Sequence, residues 1–216
     1  MDTAILFDLD GTLLDTLEDL YNATNHTLEH FGCPQRTMEE VRSFVGNGAK
    51  NQIRCSLPQD GNHPPLEDVF VYYQDYYNRT SAAGTAAPYP GVMQALEKLK
   101  DKYPIAIVSN KPDPAVKALR DKYCPGIYAR GVSEDCPRKP APDMVQLTLQ
   151  ALGAKNCVYV GDSEVDVATA KNAGVPCVSV LWGFRDQKTL IEAGAEIFCD
   201  HAACLPDIVE SVIGRM

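Results

Sequence analysis

The sequence predicts an α/β protein, a parallel sheet wound by helices on both faces and broken once by an all-helical insertion. Three observations lead there. Short, predominantly apolar runs recur at 4–9, 104–109, 157–161 and 176–180, and each of the first three delivers polar residues where it ends. Runs of this kind, apolar towards both faces, are what strands covered on both sides require. Segments of helical period stand between the later runs, and from about residue 14 to residue 84 strand signals stop altogether.

Each element follows from its residues. The first run ends in Asp8, Asp10, Gly11 and Thr12, a buried strand feeding a polar loop. The second leads into Ser109 and Asn110, the third into Asp162 and Ser163, and 176–180 supplies a fourth strand. Between 92 and 102, Val92, Leu96 and Leu99 fall on one stripe while Glu97, Lys98 and Lys100 turn outward. The segment 143–152 repeats the pattern with Met144, Leu147 and Leu152, and stops at Gly153. Inside the insertion, helical patterns cover 17–31, 38–44, 50–57 and 66–81, and the small-residue string 82–87, closed by Pro88 and Pro90, reads as a return hinge. The predicted organisation is a discontinuous core of 1–14 and 85–216 with a helical domain, 15–84, inserted after the first strand.

Bulk properties narrow the function. A chain of 216 residues supports one substantial core and a small accessory domain. A formal charge of −9 argues against nucleic acid, whose binding needs a basic face. The opening residues carry acids rather than a basic stretch before an apolar one, and no apolar run approaches the roughly 18 residues of a membrane span. The expectation is a cytoplasmic protein without membrane or nucleic-acid partners; monomer and dimer are both compatible. The eight cysteines form no CxxC pair and read as reduced, mostly buried thiols.

In parallel α/β sheets ligands bind outside the carboxyl ends of the strands, so Asp8, Asp10, Ser109, Lys139, Asp162 and Asp166 can converge although distant in sequence. Carboxylates brought together repel unless a cation sits among them. Magnesium suits such a set, because it prefers one or two carboxylates together with waters and phosphate oxygens. The chemistry then reads as phosphoryl transfer to or through Asp8 as nucleophile, with Asp10 as general acid and then base. Ser109 and Lys139 would donate to the phosphoryl oxygens, Asp8 and Asp162 would hold the metal, and Asp166 with Ser163 would support them from behind. Thr12 and Asn110 are further candidates for contact with substrate. Plainer roles compete: Asp162 as a helix N-cap, Lys139 as a loop lysine, Asp166 answering a helix dipole, Asn110 and Lys111 shaping a loop.

Four motifs in order, DLDGT at 8–12, VSNK at 108–111, RKPAPD at 138–143 and GDSEVD at 161–166, resemble those of the haloacid dehalogenase superfamily. Within it the chain is similar to the phosphoglycolate phosphatase branch through VGNGAK at 45–50, YPGV at 89–92 and LWGF at 181–184. The resemblance implies a Rossmann-like core, a small α-helical cap, magnesium, and coordination of that metal by the backbone carbonyl of Asp10. Ser109 stands where threonine is more usual, and either hydroxyl can donate to phosphate. In the cap, Arg42, Gly48 and Lys50 are candidates for meeting a negative group of the substrate away from its phosphate. The implied function is a magnesium-dependent phosphatase for a small phosphorylated metabolite, 2-phosphoglycolate being the best single choice. Alternatives are a phosphosugar mutase of the β-phosphoglucomutase kind, a pyrophosphatase or nucleotidase of the same superfamily and, from another class, a phosphoacceptor receiver module, against which the helical insertion counts. His26, His30, His63 and His201 read as fillers and Trp182 as packing.

Overall fold

The computed structural model describes residues 2–133 and 136–216, with the backbone alone at Ala82. The chain divides into two compact units, Met1–Asp15 with Pro88–Met216, and Thr16–Ala87.

The first unit opens with β1 (Thr3–Phe7), in which Ile5, Leu6 and Phe7 are fully buried. A tight turn leads to the two-residue strand β2 (Leu14–Asp15), which pairs with β3 (Ala87–Pro88) as a separate ribbon. In the second unit lie α1 (Leu17–His30), α2 (Met38–Phe44), α3 (Ala49–Ser56) and α4 (Leu66–Thr80). The first unit then resumes with α5 (Val92–Lys100), β4 (Ile105–Pro112), α6 (Asp113–Tyr123), β5 (Tyr128–Val132), α7 (Asp143–Leu152) and β6 (Asn156–Gly161). It ends with α8 (Glu164–Ala173), β7 (Cys177–Val180), α9 (Gln187–Glu192), β8 (Ile197–Cys199) and α10 (Leu205–Ile213).

The main sheet runs β5-β4-β1-β6-β7-β8 and every pairing in it is parallel. The registers Phe7↔Ile107 and Phe7↔Val160 bring the end of β6 level with the end of β1, while β4 continues beyond it to Pro112. On one face α7 and α8 pack over Leu6, Ala106, Val108 and Tyr159. Side chains of opposite parity, Ile5, Phe7, Ile107, Val158 and Val160, are buried as well. Each of these burials contributes on the order of 1.5–3 kcal/mol, so the strand ends are held by the most stable part of the unit. After β5 the chain crosses to the other side of β1, making the gap between β1 and β6 the switch point where open α/β sheets bind ligands.

Two sheet strands escaped the sequence reading. β5 carries Arg130 and Gly131 in an edge position and β8 is three residues long, so neither forms an unbroken apolar run. The string read as a return hinge also makes hydrogen bonds of its own. Asp19, in the first turn of α1, accepts bonds from Thr85 N (2.7 Å), Thr85 Oγ1 (3.0 Å) and Ala86 N (3.0 Å). The return segment therefore belongs to the helical unit up to Ala87, whereas the expected insertion ended at 84.

The helical unit buries Val41, Ile53, Val69, Tyr73 and Tyr77. Thr37 and Glu40 close a capping box at the start of α2, and Arg36 covers the last carbonyls of α3 through Ser56 O (2.8 Å) and Leu57 O (3.3 Å). His26 and His30 are not bare fillers, because their rings stack on Tyr76 and Tyr72 with centroids 3.8 and 4.0 Å apart. All eight cysteines are free and five are buried, the arrangement expected of small core hydrophobes. Among the described residues no helix is long and apolar enough to cross a membrane.

Candidate active site

Three strand ends and one loop build the site, all within the first unit. Asp8 follows β1, and its own N–H still bonds Val160 O at 2.9 Å, so sheet pairing fixes its backbone. The chain then doubles back, with Leu13 N and Leu14 N both on Leu9 O (3.0 Å each) and Gly11 N on Leu14 O (2.9 Å). Gly11 takes φ +85°, and a Cβ there would collide with the Asp162 carboxylate, so this turn demands glycine twice over. β4 carries Ser109, Asn110 and Lys111 at its end, all three buried. Asn110 reads the backbone of Lys139 in both directions, Nδ2 to Lys139 O (3.0 Å) and Lys139 N to Oδ1 (2.8 Å). That exchange brings the loop before α7 to the sheet.

Asp162 follows β6 and is gripped from both flanks. Thr12 Oγ1 donates to Oδ1 (3.0 Å) and Phe184 N to Oδ2 (2.7 Å). One turn on, Asp166 reaches back to accept from Ser163 N (3.1 Å) and Ser163 Oγ (2.6 Å) on Oδ2. Gly161 leaves the room this needs, since a Cβ there would strike the Asp166 side chain. The ammonium of Lys139 sits among these acids, 2.9 Å from Asp8 Oδ1, 2.8 Å from Asp166 Oδ1 and 3.1 Å from the Tyr159 hydroxyl. Separately, Lys111 Nζ holds both oxygens of Asp10, at 2.9 and 3.0 Å.

Ligand oxygens of Asp8, Asp162 and Asp166 all lie within 4.8 Å of one another, and all three residues are buried. Lys139 offers them a single positive charge. Burial, followed by repulsion from Asp166 and Asp10 and against the pull of Lys139, raises Asp8 to about 7. Asp162 is also pushed well up, first by burial and then by Asp166 and Asp8. Burial would depress Lys139, but Asp166 and Asp8 outweigh it and hold its ammonium well above the usual range. With all three acids ionised the cluster would carry two negative charges more than its lysine balances, a cost that the raised Asp8 and Asp162 register and that one divalent cation would offset.

Hydrogen-bond capacity says which acids are free to take it. A carboxylate offers roughly four lone-pair positions. Asp166 has three filled, by Lys139 Nζ on Oδ1 and Ser163 twice on Oδ2, and the single Tyr159 hydroxyl proton is shared between Oδ1 (3.3 Å) and Val108 O (3.2 Å). Asp162 keeps two, and Asp8 Oδ1 takes Leu9 N (2.7 Å) and Lys139 while Oδ2 accepts no bond among the described residues. The all-oxygen donor set fits a hard cation held by Asp8 and Asp162, with Asp166 as the counter-charge that aims Lys139.

Of the residues singled out in the sequence, Asp8, Asp10, Thr12, Ser109, Asn110, Lys139, Asp162, Ser163 and Asp166 gather at these strand ends and loops of the first unit. Arg42, Gly48 and Lys50 lie in the helical unit. Arg42 is exposed on α2, Gly48 caps α3 at φ 84°, and Lys50 is already paired with Glu67 and stands 5.9 Å over the Phe70 ring. The sequence reading missed the Lys111 clamp on Asp10, the Tyr159 hydroxyl and the Phe184 N–H. Trp182, expected to be packing, also donates its indole N–H to Thr12 O (3.0 Å). A tyrosine inside an otherwise aliphatic strand was a readable signal; a backbone donor was not.

The fold and this geometry match known proteins. The model of the family described as haloacid dehalogenase-like hydrolase covers residues 5–180. The chain belongs to the haloacid dehalogenase-like hydrolases. A family relative named phosphoglycolate phosphatase, from Rhodobacter capsulatus, is 38% identical over 97% of this chain and 98% of its own length. Another of that name, from Pseudomonas putida, is 32% identical over 97% of this chain and 81% of its own. Among solved structures, Rhodobacter sphaeroides CbbY in complex with phosphate superposes with a TM-score of 0.76 at 25% identity, covering 97% of this chain and all (100%) of that one. A Lactobacillus delbrueckii subsp. bulgaricus protein, described provisionally as a phosphoglycolate phosphatase, reaches 0.88 at 31% identity and covers 95% and 97%.

Proposed function

We propose that this chain is a magnesium-dependent phosphatase that hydrolyses a small phosphorylated metabolite, 2-phosphoglycolate first among them, through an aspartyl phosphate on Asp8. The observation that carries the reading is the state of the Asp8 carboxylate. One oxygen is pinned by Leu9 N and Lys139, while the other accepts no hydrogen bond among the described residues, and the carboxylate lies in one cluster with Asp162 and Asp166. A nucleophile requires such an oxygen. The names of the curated relatives support the choice of substrate.

In the first half-reaction Asp8 Oδ2 forms a bond to phosphorus as the ester oxygen leaves, and Asp10 gives that oxygen its proton. In the second, a water attacks the same phosphorus, Asp10 takes the water's proton, the bond to Asp8 breaks and inorganic phosphate departs. Protons and charge return to the starting point. Lys111, bound to both Asp10 oxygens, steadies the carboxylate that exists between the two transfers. The Ser109 hydroxyl and the Lys139 ammonium bind phosphoryl oxygens, with Lys139 aimed by Asn110, Asp166 and Tyr159, and Thr12 steadies Asp162. Magnesium, when held by Asp8, Asp162 and the carbonyl of Asp10, would neutralise charge on the transferring group. For the remaining anionic group of the substrate the helical unit offers Arg42, the Gly48 turn and Lys50, the last at the expense of its pair with Glu67.

The test is phosphate release from 2-phosphoglycolate in the presence of magnesium, set beside the Asp8→Asn variant. The expected result is turnover in the wild type, a loss of about a thousandfold or more in the variant, and none with the metal chelated. Comparable turnover in Asp8→Asn excludes the mechanism.

A further inference from the structure

The loop after β7, residues 181–186, reaches Asp162 through backbone alone: Phe184 N donates to Oδ2 at 2.7 Å. The approach is so close that a Cβ on Gly183 would collide with the Asp162 side chain. A single backbone donor on a short loop aims a carboxylate only if the loop itself is held, and two side-chain anchors flank the Gly183–Phe184 step. Ahead of it, Trp182 Nε1 bonds Thr12 O (3.0 Å), tying the loop to the turn that supplies the other Asp162 donor. Behind it, Arg185 forks onto Glu164, Nε to Oε2 at 2.7 Å and Nη2 to Oε1 at 3.3 Å, with only 11% of the arginine side chain exposed. Glu164 is the first residue of α8, two positions beyond Asp162, so the fork staples the loop to the helix that starts beside that acid. A planar guanidinium on a carboxylate fixes orientation as well as distance, which a lysine cannot do.

We propose that Arg185 is a positioning residue for the metal site: by gripping Glu164 it keeps the Phe184 N–H on Asp162 Oδ2 and so fixes the carboxylate that holds the cation. This rests on the reading that Asp162 binds magnesium. Residues that aim a ligand typically alter metal affinity 10- to 100-fold when removed. The fork can be cut from either end, with Arg185→Met or Glu164→Gln, in the full chain.

Magnesium binding is measured by titration calorimetry and by the metal-induced rise in melting temperature, and the magnesium dependence of turnover is recorded alongside. Either variant is expected to bind magnesium about tenfold more weakly and to recover most of its turnover at saturating metal, and Arg185→Lys to fall between. A merely structural staple would lower melting temperature and leave magnesium affinity unchanged. Unaltered affinity in both variants, or turnover lost equally at all magnesium concentrations, overturns the proposal. If Arg185→Met does not fold, Glu164→Gln carries the test, its side chain being half-exposed. Asp162→Asn separates the two readings: loss of magnesium binding there with none in the fork variants sinks only the role of Arg185, whereas wild-type binding in Asp162→Asn sinks the metal assignment itself.

Discussion

The two units bury polar side chains in opposite ways. At the strand ends of the first unit the buried groups include charges, Asp8, Lys111, Lys139, Asp162 and Asp166. In the helical unit they are neutral, Thr24, Asn25, Thr27, Gln52 and Ser56 among them, and several are satisfied locally: Gln52 donates to Thr24 (2.9 Å), Thr27 to Ala23 O (2.8 Å) and Ser56 to Gln52 O (2.8 Å). A fold gains little from buried charges and often loses stability by keeping them. The first unit retains an acidic surplus that a charged ligand would relieve, and the second shows what this chain does where no such demand exists.

The contrast can be broken experimentally. The largest effect should come from Lys139→Met, which leaves three buried carboxylates with no cation; in chelator it should cost about 3–5 kcal/mol in urea denaturation, and magnesium should recover part of that. A cost near zero would mean that the acids are not mutually strained. Next, Asp8→Asn removes one of the repelling charges and keeps an oxygen for Leu9 N, so metal-free stability should rise by about 1 kcal/mol while phosphate release disappears. A fall in metal-free stability would place the strain elsewhere. The smallest effect belongs to the helical unit. Lys50→Ala breaks an exposed pair with Glu67 and should change stability by no more than about 0.5 kcal/mol, so that a clear rise in KM for 2-phosphoglycolate would assign Lys50 to the substrate and an unchanged KM would leave it to Glu67.

Much of the first unit was legible because its signals are local. Buried central strands must be apolar on both faces, so β1, β4, β6 and β7 show as predominantly apolar runs, and their ends show as Asp8, Ser109 and Asp162. Edge strands β5 and β8 face fewer neighbours and carry no such constraint. The bonds of the return segment were illegible for a related reason: small residues at 82–87 show no partner in sequence, and Asp19, more than sixty positions away, supplies acceptors for Thr85 and Ala86.

By itself, then, the sequence determined which acids and hydroxyl stand where the apolar runs stop, Asp8, Ser109 and Asp162, because a buried apolar run must stop where its burial ends. Tertiary structure alone decided how those groups share their bonds: that Asp166 is more fully engaged than Asp162 and Asp8, that Lys111 belongs to Asp10 and Lys50 to Glu67, and that a backbone N–H held by Arg185 aims Asp162. The physical reason is range. Propensity and periodicity act over a few residues, whereas a hydrogen bond between positions 12 and 162, or 10 and 111, exists only once the sheet has brought them within 3 Å.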